Sequence, residues 1–248
     1  MRVGLLAGSG RLPEILRESH DFHHVLDLES WPEPLGALMA VIETLKSEGC
    51  EALVLAGAID RARFHSLDAG GAWVAERAGK GAGDGQLLDA LVAFLEREGF
   101  QILGAADLLP SLKTPVGLLS GTYEADPRPG LEKARALGLR DLGQAVIQCD
   151  GTHWLEETAA GTDDLIARAG RVEAQQRVLY KAAKPQQDLR VDMPTWGSQT
   201  VELAARHGVN TLVFEAGKTL AMDREEATAK AEATGVSIVG VGPLKSPF

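Results

Sequence analysis

The chain has 248 residues, of which 45% are hydrophobic and 24% are charged, and its formal net charge is −10 at pH 7. This composition is ordinary for a folded globular protein, and the length suits one large domain or two modest ones. The negative charge argues against duplex nucleic acid as a partner, because binding to its phosphates needs a basic face. An acidic enzyme can still bind phosphates if a divalent cation bridges them.

The two cysteines, Cys50 and Cys149, lie far apart in apolar, strand-like segments. Their spacing matches neither a metal site nor a disulfide framework, so we expect buried free thiols in a reducing compartment. The apolar run at the N-terminus is interrupted by Pro13 and Glu14, which makes it too short for a signal peptide or a membrane span. We therefore expect a cytoplasmic protein.

The first half of the chain alternates short apolar runs with longer amphipathic segments, as parallel α/β domains do. The apolar runs predict strands at 3–8, 23–28, 52–59 and 100–108, and the amphipathic segments predict helices at 11–20, 35–49 and 84–99. Gly49 and Gly99 stand where a glycine commonly ends a helix. The pattern predicts a mainly parallel sheet with right-handed crossovers.

Gly, Pro and polar residues concentrate at 120–130, which makes this segment the best candidate for a linker. The second half predicts helices at 131–140, 162–170, 198–208 and 224–235, strands at 177–183, 210–217 and 236–242, and two strands within 144–158 around a tight Asp150-Gly151 turn. We therefore expect an N-terminal domain at 1–120, a linker at 121–130 and a C-terminal α/β domain at 131–248.

A glycine-rich turn of Gly8, Ser9 and Gly10 separates the first predicted strand from the first predicted helix. Such a turn lets backbone N–H groups approach a phosphate at the positive end of a helix. The spacing lacks the third glycine of the dinucleotide fingerprint and the Lys-Ser/Thr pair of a Walker loop. A tight strand–helix turn without a ligand is an equally good interpretation.

Two other groups of polar residues follow or precede predicted strands in the first half. Asp60 and Arg61 come after the third strand, at the edge where open α/β sheets bind ligands, although a surface ion pair is the competing interpretation. His20, His23 and His24 gather at a helix-to-strand junction without an accompanying set of carboxylates or cysteines. For these histidines we expect solvent-exposed junction residues rather than a metal site.

Carboxylates of the second half are candidates for Mg²⁺, which proteins often hold through one or two carboxylates. Glu157 and Asp163 flank a glycine-containing loop, and Glu215 ends a predicted strand. The structural alternatives are a helix cap formed by Thr162 and Asp163, and a solvent-facing strand end at Glu215. A cap and a metal site are compatible if Glu157 faces the site while Thr162 starts the helix.

The most informative segment is KPQQDLRVDMPTWG at 184–197. Two prolines stiffen it, Asp192 precedes a Met-Pro turn, and Gly197 leads into a predicted helix whose N-terminus attracts anions. Lys184 and Arg190 can offset phosphate charge. A carboxylate beside an anion site suits a residue that binds a cation or activates a water molecule, a combination that a purely structural loop would not need.

In order and spacing, these segments resemble the LpxI-type UDP-2,3-diacylglucosamine pyrophosphatases of lipid A biosynthesis. The resemblance spans essentially the whole chain and rests on GLLAGSGRLP, EGCEALVLAGAIDR, EREGFQILGAADLLP, DLGQAVIQCDG, GTDDLI, KPQQDLRVDMPTWG and FEAGKTLAMDRE. The chain departs from the family pattern in GAGDGQLL, where Ala82 stands at a basic position and Gly85 follows Asp84. It is also shorter around 67–81.

The resemblance implies a Rossmann-like N-terminal domain, a second α/β domain and a homodimer. It implies Mg²⁺-dependent hydrolysis of the pyrophosphate bond of UDP-2,3-diacylglucosamine to UMP and 2,3-diacylglucosamine 1-phosphate (lipid X). Asp192 matches the essential aspartate, either as a Mg²⁺ ligand or as the residue that orients the attacking water. Lys184 and the helix N-terminus near Gly197 would stabilise charge on the phosphoryl oxygens.

The other site residues follow from the matching segments. The resemblance implies Thr195 as a further catalytic residue, Gly8, Ser9, Gly10, Asp60, Arg61 and Gln144 as substrate-binding residues, and Glu157, Asp163 and Glu215 as metal ligands beside Asp192. The acyl chains need an apolar groove or the membrane itself, and the sequence has no basic amphipathic helix for strong docking. We therefore expect a protein that contacts the inner membrane only transiently.

Two alternatives stay open on the sequence alone. One is a hydrolase that acts on another nucleotide-diphospho sugar, with the same chemistry and a different pocket for the tail. The other is a nucleotide-binding module without catalysis, in which the acidic loop is purely structural.

Overall fold

The structure, a computed structural model, describes residues 1–30, 36–58, 66–242 and 244, apart from the side chain of residue 84. The chain forms two compact units. Unit 1 comprises Met1–Pro110 together with Asp188–Asp192, and unit 2 comprises Ser111–Gln187 together with Met193–Phe248. The short segment that ends at Asp192 therefore packs with the N-terminal unit, although its neighbours in sequence belong to unit 2.

Unit 1 is built on a parallel sheet. Its strands are β1 (Val3–Ala7), β2 (His24–Asp27), β3 (Ala52–Ala56) and β4 (Gln101–Leu103), in the order β2-β1-β3-β4. All residues of β1 are buried, as expected for an interior strand of a parallel sheet. The sheet confirms the predicted parallel α/β architecture of the N-terminal half.

The helices of unit 1 follow the predicted amphipathic segments, with two additions. They are α1 (Arg11–Ser19), α2 (Leu38–Ser47), α3 (Ala69–Ala78), α4 (Asp84–Arg97) and α5 (Ala105–Leu108). The apolar stripe of α2 is buried in a core that also takes Phe94 and Leu95 of α4. The sequence did not predict α3, which begins where the Asp68 carboxylate accepts a hydrogen bond from the N–H of Gly71.

The strand predicted at 100–108 is wrong in its second half. Strand β4 ends at Leu103, and α5 follows because the Asp107 carboxylate accepts a 2.8 Å hydrogen bond from the N–H of Gly104. This bond caps the first turn of a helix. A short apolar run does not by itself distinguish a strand from a helix, so the capping carboxylate decides the structure here.

Unit 2 contains a larger, mixed sheet. Its strands are β5 (Gly117–Ser120), β6 (Ala145–Cys149), β7 (His153–Glu156), β8 (Arg177–Lys181), β10 (Thr211–Glu215) and β12 (Ser237–Val241), in the order β5-β12-β10-β8-β6-β7. Strands β8, β10 and β12 are parallel, whereas β5 and β6 pair antiparallel to their neighbours. The β6–β7 hairpin confirms the predicted turn, since Asp150 and Gly151 both have positive φ.

The remaining elements of unit 2 cover both faces of this sheet. They are α6 (Arg128–Leu139), α7 (Gly161–Ala169), α8 (Ser198–Arg206), α9 (Arg224–Thr234) and a two-stranded ribbon of β9 (Thr195–Trp196) and β11 (Leu220–Ala221). One core contains Trp196 and Phe214, and the other contains Leu131 and Tyr180. Together the two units confirm the predicted α/β fold class.

No helix in the described ranges is both long enough and apolar enough to serve as a membrane span.

Candidate active site

An open cavity of about 580 Å³ lies in unit 2, beside the carboxyl end of β8. Its walls come from the first turn of α7, from one side of α8 and from the start of β9. Thr162, Asp163, Lys181 and Thr195 are among the lining residues. The volume falls in the range of small-molecule sites. Two of the residues predicted from the sequence, Asp163 and Thr195, are thus brought to one place.

Lys181 is the buried cation of this cavity. It is the last residue of β8, and its side chain lies beneath the cavity with a relative exposure of 8%. Its Nζ donates a 3.0 Å hydrogen bond to the carbonyl oxygen of Thr195. Burial lowers the pKa of Lys181, while the negative charges of Glu157 and Asp163 act in the opposite direction. Lys181 was not predicted as a site residue, although a lysine at the end of an apolar strand is a signal for one.

Glu157 connects the start of β6 to the first turn of α7. One oxygen of its buried carboxylate accepts hydrogen bonds from the backbone N–H groups of Gln144, at 2.6 Å, and Ala145, at 3.1 Å. The other oxygen accepts a 2.6 Å bond from the hydroxyl of Thr162. Thr162 therefore does not cap α7, which begins at Gly161. Glu157 is engaged by three protein donors, which makes it a structural anchor of the cavity wall.

We expect Glu157→Ala to lower the free energy of unfolding by about 3–5 kcal/mol, because two backbone N–H groups lose their acceptor in a buried site. Glu157→Gln should cost only about 1–2 kcal/mol. Its amide oxygen can still accept the backbone bonds of Gln144 and Ala145 if the hydroxyl of Thr162 turns to accept instead of donate. Urea denaturation followed by circular dichroism measures both values, and equal stability of the alanine variant and the unmodified protein would contradict the assigned role.

Gln144 has an unusual environment beside Glu157. Its backbone carbonyl accepts a 3.1 Å hydrogen bond from the N–H of Ala182. Its side-chain oxygen Oε1 is buried and has no hydrogen-bond partner within the described ranges. Buried polar atoms are normally paired, so this oxygen is available to a ligand or a water molecule.

Asp192 lies in unit 1, at the end of a rigid turn. Both carboxylate oxygens of Asp188 accept hydrogen bonds from Arg190, whose Nη1 also lies 2.7 Å from Oε1 of Glu96 in α4. The backbone N–H of Asp192 donates a 2.9 Å bond to the carbonyl of Asp188. Asp192 itself is half-buried. The turn is therefore held by a bidentate ion pair rather than by its prolines alone.

The carboxylate of Asp192 lies close enough to α4 to influence a second acid. Burial raises the pKa of Asp89 in α4, and the negative charges of Asp188 and Asp192 raise it further. Like charges near one another favour the protonated form of one of them. Asp89, Asp188 and Asp192 are therefore close enough in unit 1 to influence one another.

Residues 184–187 and 193–197 of the segment lie in unit 2. Nζ of Lys184 forms a 2.6 Å ion pair with Oδ1 of Asp141. Thr195 is exposed in β9, and Gly197 occupies the position before the first residue of α8, as predicted. A Cβ atom on Gly197 would lie 3.0 Å from the carbonyl oxygen of Met222, so a larger residue would crowd this helix start.

The glycine-rich turn of unit 1 is hydrogen-bonded to the end of strand β3 and the residues that follow it. The N–H of Gly8 donates to Ala56 and the N–H of Ser9 donates to Ala58, each at 2.8 Å, and a Cβ atom on Gly8 would lie 2.3 Å from the carbonyl oxygen of Ala58. Gly10 has a φ of 105° and open space on its Cβ side. Two of the three N–H groups are thus already used by backbone carbonyls.

The sequence also singled out two polar groups near the strands of unit 1. Asp60 and Arg61 lie outside the described residues. Nε2 of His23 lies 2.8 Å from the carbonyl oxygen of Glu48, and Nδ1 of His24 lies 3.9 Å from its carboxylate. These contacts agree with the junction role expected for the histidines.

Glu215 is fully buried at the end of β10, so the solvent-facing alternative is wrong. Nζ of Lys218 lies 3.0 Å from its Oε1, and the described residues supply no well-oriented hydrogen bond to either oxygen. The pair is local, since the two residues are three positions apart. Lys218 thus provides the compensating charge for a carboxylate that is removed from solvent.

Among the described residues, no group of three or more His, Cys, Asp or Glu side chains is placed so that it could hold a metal ion. Of the four predicted ligands, Glu157 is engaged by three donors and Glu215 is paired with Lys218. Asp163 belongs to unit 2 and Asp192 to unit 1. Glu157 and Glu215 therefore already have protein partners of their own.

Comparison with known proteins places both units in one family. Residues 2–112 match the family described as the LpxI N-terminal domain, and residues 119–239 match the LpxI C-terminal domain. The protein of Caulobacter vibrioides named UDP-2,3-diacylglucosamine pyrophosphatase LpxI is 34% identical over 278 residues, and the match covers 99% of each chain. The resemblance found from the sequence motifs is confirmed, and the chain belongs to the LpxI family.

Proposed function

We propose that this protein hydrolyses the pyrophosphate bond of UDP-2,3-diacylglucosamine to UMP and 2,3-diacylglucosamine 1-phosphate, as a step of lipid A biosynthesis. The observation that carries the proposal is the extent of the family match, because the relative named for this activity aligns over 99% of both chains. Neither unit is missing from the alignment, which supports the same activity for this chain.

In this proposal Asp192 is the central catalytic residue, acting on the cation or on the attacking water. Its support is the rigidity of the turn, in which Arg190 binds both oxygens of Asp188 and reaches Glu96. A carboxylate on a rigid turn keeps its position relative to a reacting phosphorus, which favours the reaction. Lys184 and Thr195 are proposed as further catalytic residues.

We also propose that the activity depends on Mg²⁺. Mg²⁺ is commonly bound by one or two carboxylates and by substrate phosphates, which suits a protein whose described residues form no three-ligand group. When bound, the ion would neutralise charge on the diphosphate. Asp192 is the carboxylate proposed for this task.

We also propose that the protein forms a homodimer and contacts the inner membrane transiently. The acyl chains of the substrate must leave water, either in an apolar groove or in the bilayer.

The function is tested by incubating the purified protein with UDP-2,3-diacylglucosamine and, separately, with UDP-N-acetylglucosamine, and by measuring UMP by chromatography. We expect UMP from the diacylated substrate, loss of its release after treatment with EDTA, and recovery on addition of Mg²⁺. UMP from the unacylated sugar nucleotide alone would favour a hydrolase of another nucleotide-diphospho sugar. No UMP from either compound would favour a module that binds without turnover.

A further inference from the structure

We propose that the cavity of unit 2 binds a phosphate group and that Lys181 is the side chain that neutralises it. The inference rests on the proposed function only for the source of the phosphate, which is either the nucleotide or the sugar 1-phosphate. The charge, the hydrogen-bonding capacity and the surroundings of Lys181 each support it.

The first support is the incomplete hydrogen bonding of a buried ammonium group. A lysine ammonium carries three N–H donors. Among the described residues, Lys181 makes one hydrogen bond, to the carbonyl oxygen of Thr195. Two donors of a side chain with 8% exposure are therefore left for a molecule in the cavity that Lys181 lines.

The second support is the absence of a direct counterion in the described part of the chain. No carboxylate there lies within 4.0 Å of Nζ of Lys181. The oxygens of Glu157 are bonded to other donors, and Asp163 is exposed at the start of α7. Glu157 and Asp163 act on Lys181 only at longer range. A buried charge without a partner is unfavourable, and a bound anion would compensate it.

The third support is the first turn of α7, which lines the same cavity. This helix has nine residues, and its preceding residue is Ala160, whose methyl group cannot cap the helix. Without a side-chain cap, the helix dipole favours an anion at this end, although the N–H of Gly161 is bonded to the carbonyl oxygen of Thr158 and Asp163 and Asp164 stand in the first turn. Gly161 begins the helix with a φ of 85°, and a Cβ atom there would meet no other atom within 4 Å. The cavity therefore has free space directly beside the helix start.

The other charged residues of the cavity do not reverse this preference. Glu202 in α8 forms ion pairs with Arg206 at 2.9 Å and with Lys230 at 3.4 Å, so its charge is already compensated. Asp163 is exposed to solvent, where its charge is screened. Of the two cations that line the cavity, Arg206 is paired with Glu202, whereas Lys181 has no carboxylate within 4.0 Å among the described residues.

The test measures binding of two soluble phosphates, UMP and glucosamine 1-phosphate, to the whole protein by isothermal titration calorimetry in the presence of Mg²⁺. Lys181→Met keeps the length of the side chain and removes its charge. Lys133→Met is the matched control, because Lys133 is a partly exposed lysine of α6 in the same unit. We expect Lys181→Met to raise the Kd of one of the two phosphates by about 10–100-fold. The control should change Kd by less than about twofold.

Each outcome decides the proposal. Weaker binding of UMP identifies the nucleotide phosphate, and weaker binding of glucosamine 1-phosphate identifies the sugar phosphate. If a folded Lys181→Met protein binds both phosphates as the unmodified protein does, the proposal is overturned. It is also overturned if the unmodified protein binds neither phosphate. Weakened binding together with no hydrolysis of UDP-2,3-diacylglucosamine by the unmodified protein would overturn the proposed function and leave the phosphate site standing.

A second measurement covers the case in which Lys181→Met fails to fold. Reductive methylation of the unmodified protein, read by mass spectrometry of its peptides, reports the accessibility of each lysine. Saturating UMP or glucosamine 1-phosphate should protect Lys181 at least about fivefold, as expected if the phosphate engages its ammonium group, and should leave Lys133 unprotected. Equal modification of Lys181 with and without both phosphates overturns the proposal.

Discussion

Asp192→Asn is expected to lower the rate of UMP release from UDP-2,3-diacylglucosamine by about 10²–10⁴-fold. The amide has the same shape as the carboxylate, but it carries no negative charge for a cation and cannot accept a proton from water. The ion pairs of Arg190 with Asp188 and Glu96 are untouched, so the turn should keep its structure. Initial rates and urea unfolding of the same preparation measure both properties.

The matched control for this variant is Asp126→Asn, which removes an exposed carboxylate whose partner is Arg128. We expect it to keep the activity of the unmodified protein. If the turn is purely structural, Asp192→Asn will instead be destabilised while its remaining folded fraction hydrolyses the substrate at a near-normal rate. That result would refute the catalytic role of Asp192.

Trp196→Ala is expected to lower the free energy of unfolding by about 3–5 kcal/mol. Trp196 is 2% exposed, stacks on Phe214 with 4.6 Å between ring centroids, and donates a 2.8 Å hydrogen bond from Nε1 to the hydroxyl oxygen of Thr114. The alanine leaves a cavity in the core and takes the indole donor away from Thr114. Because Trp196 ends β9, the loss should also loosen Thr195 at the wall of the cavity.

A second substitution separates the contributions of Trp196. Trp196→Phe keeps an aromatic ring against Phe214 and loses the indole N–H, so it should cost about 1–2 kcal/mol. Trp154→Phe is the control on the half-buried Trp154, with an expected cost below that of Trp196→Ala. Urea unfolding of the whole protein, followed by circular dichroism, measures the free energy of unfolding of all three variants. A loss below about 1 kcal/mol for Trp196→Ala would contradict the assigned packing.

The fold was predictable where local patterns were strong. The apolar stripe of α2, the fully buried β1 and the Asp150-Gly151 turn each follow from spacing and residue type, and the structure confirms them. The short elements were not predictable in the same way. Strands β9 and β11 have two residues each, and β5 joins the sheet only through β12, far away in sequence. Pairing between distant segments leaves little trace in a local pattern.

The site was predictable in its residue types and less so in its contacts. The sequence singled out Asp192, but its packing in unit 1 depends on the contact between Arg190 and Glu96, which are distant in the chain. Lys181 was missed because its burial beneath a cavity depends on α7, α8 and β9, which are separate from β8 in sequence. Glu157 was interpreted as a metal candidate, and only the positions of Gln144 and Ala145 reveal the donors that engage it.

The most direct test of the account is ³¹P NMR of UDP-2,3-diacylglucosamine during incubation with the folded protein and Mg²⁺. We predict that the two diphosphate signals disappear together and are replaced by equal phosphomonoester signals of UMP and 2,3-diacylglucosamine 1-phosphate. Diphosphate signals that persist, or a product mixture that contains UDP in place of UMP, would contradict hydrolysis at the pyrophosphate bond.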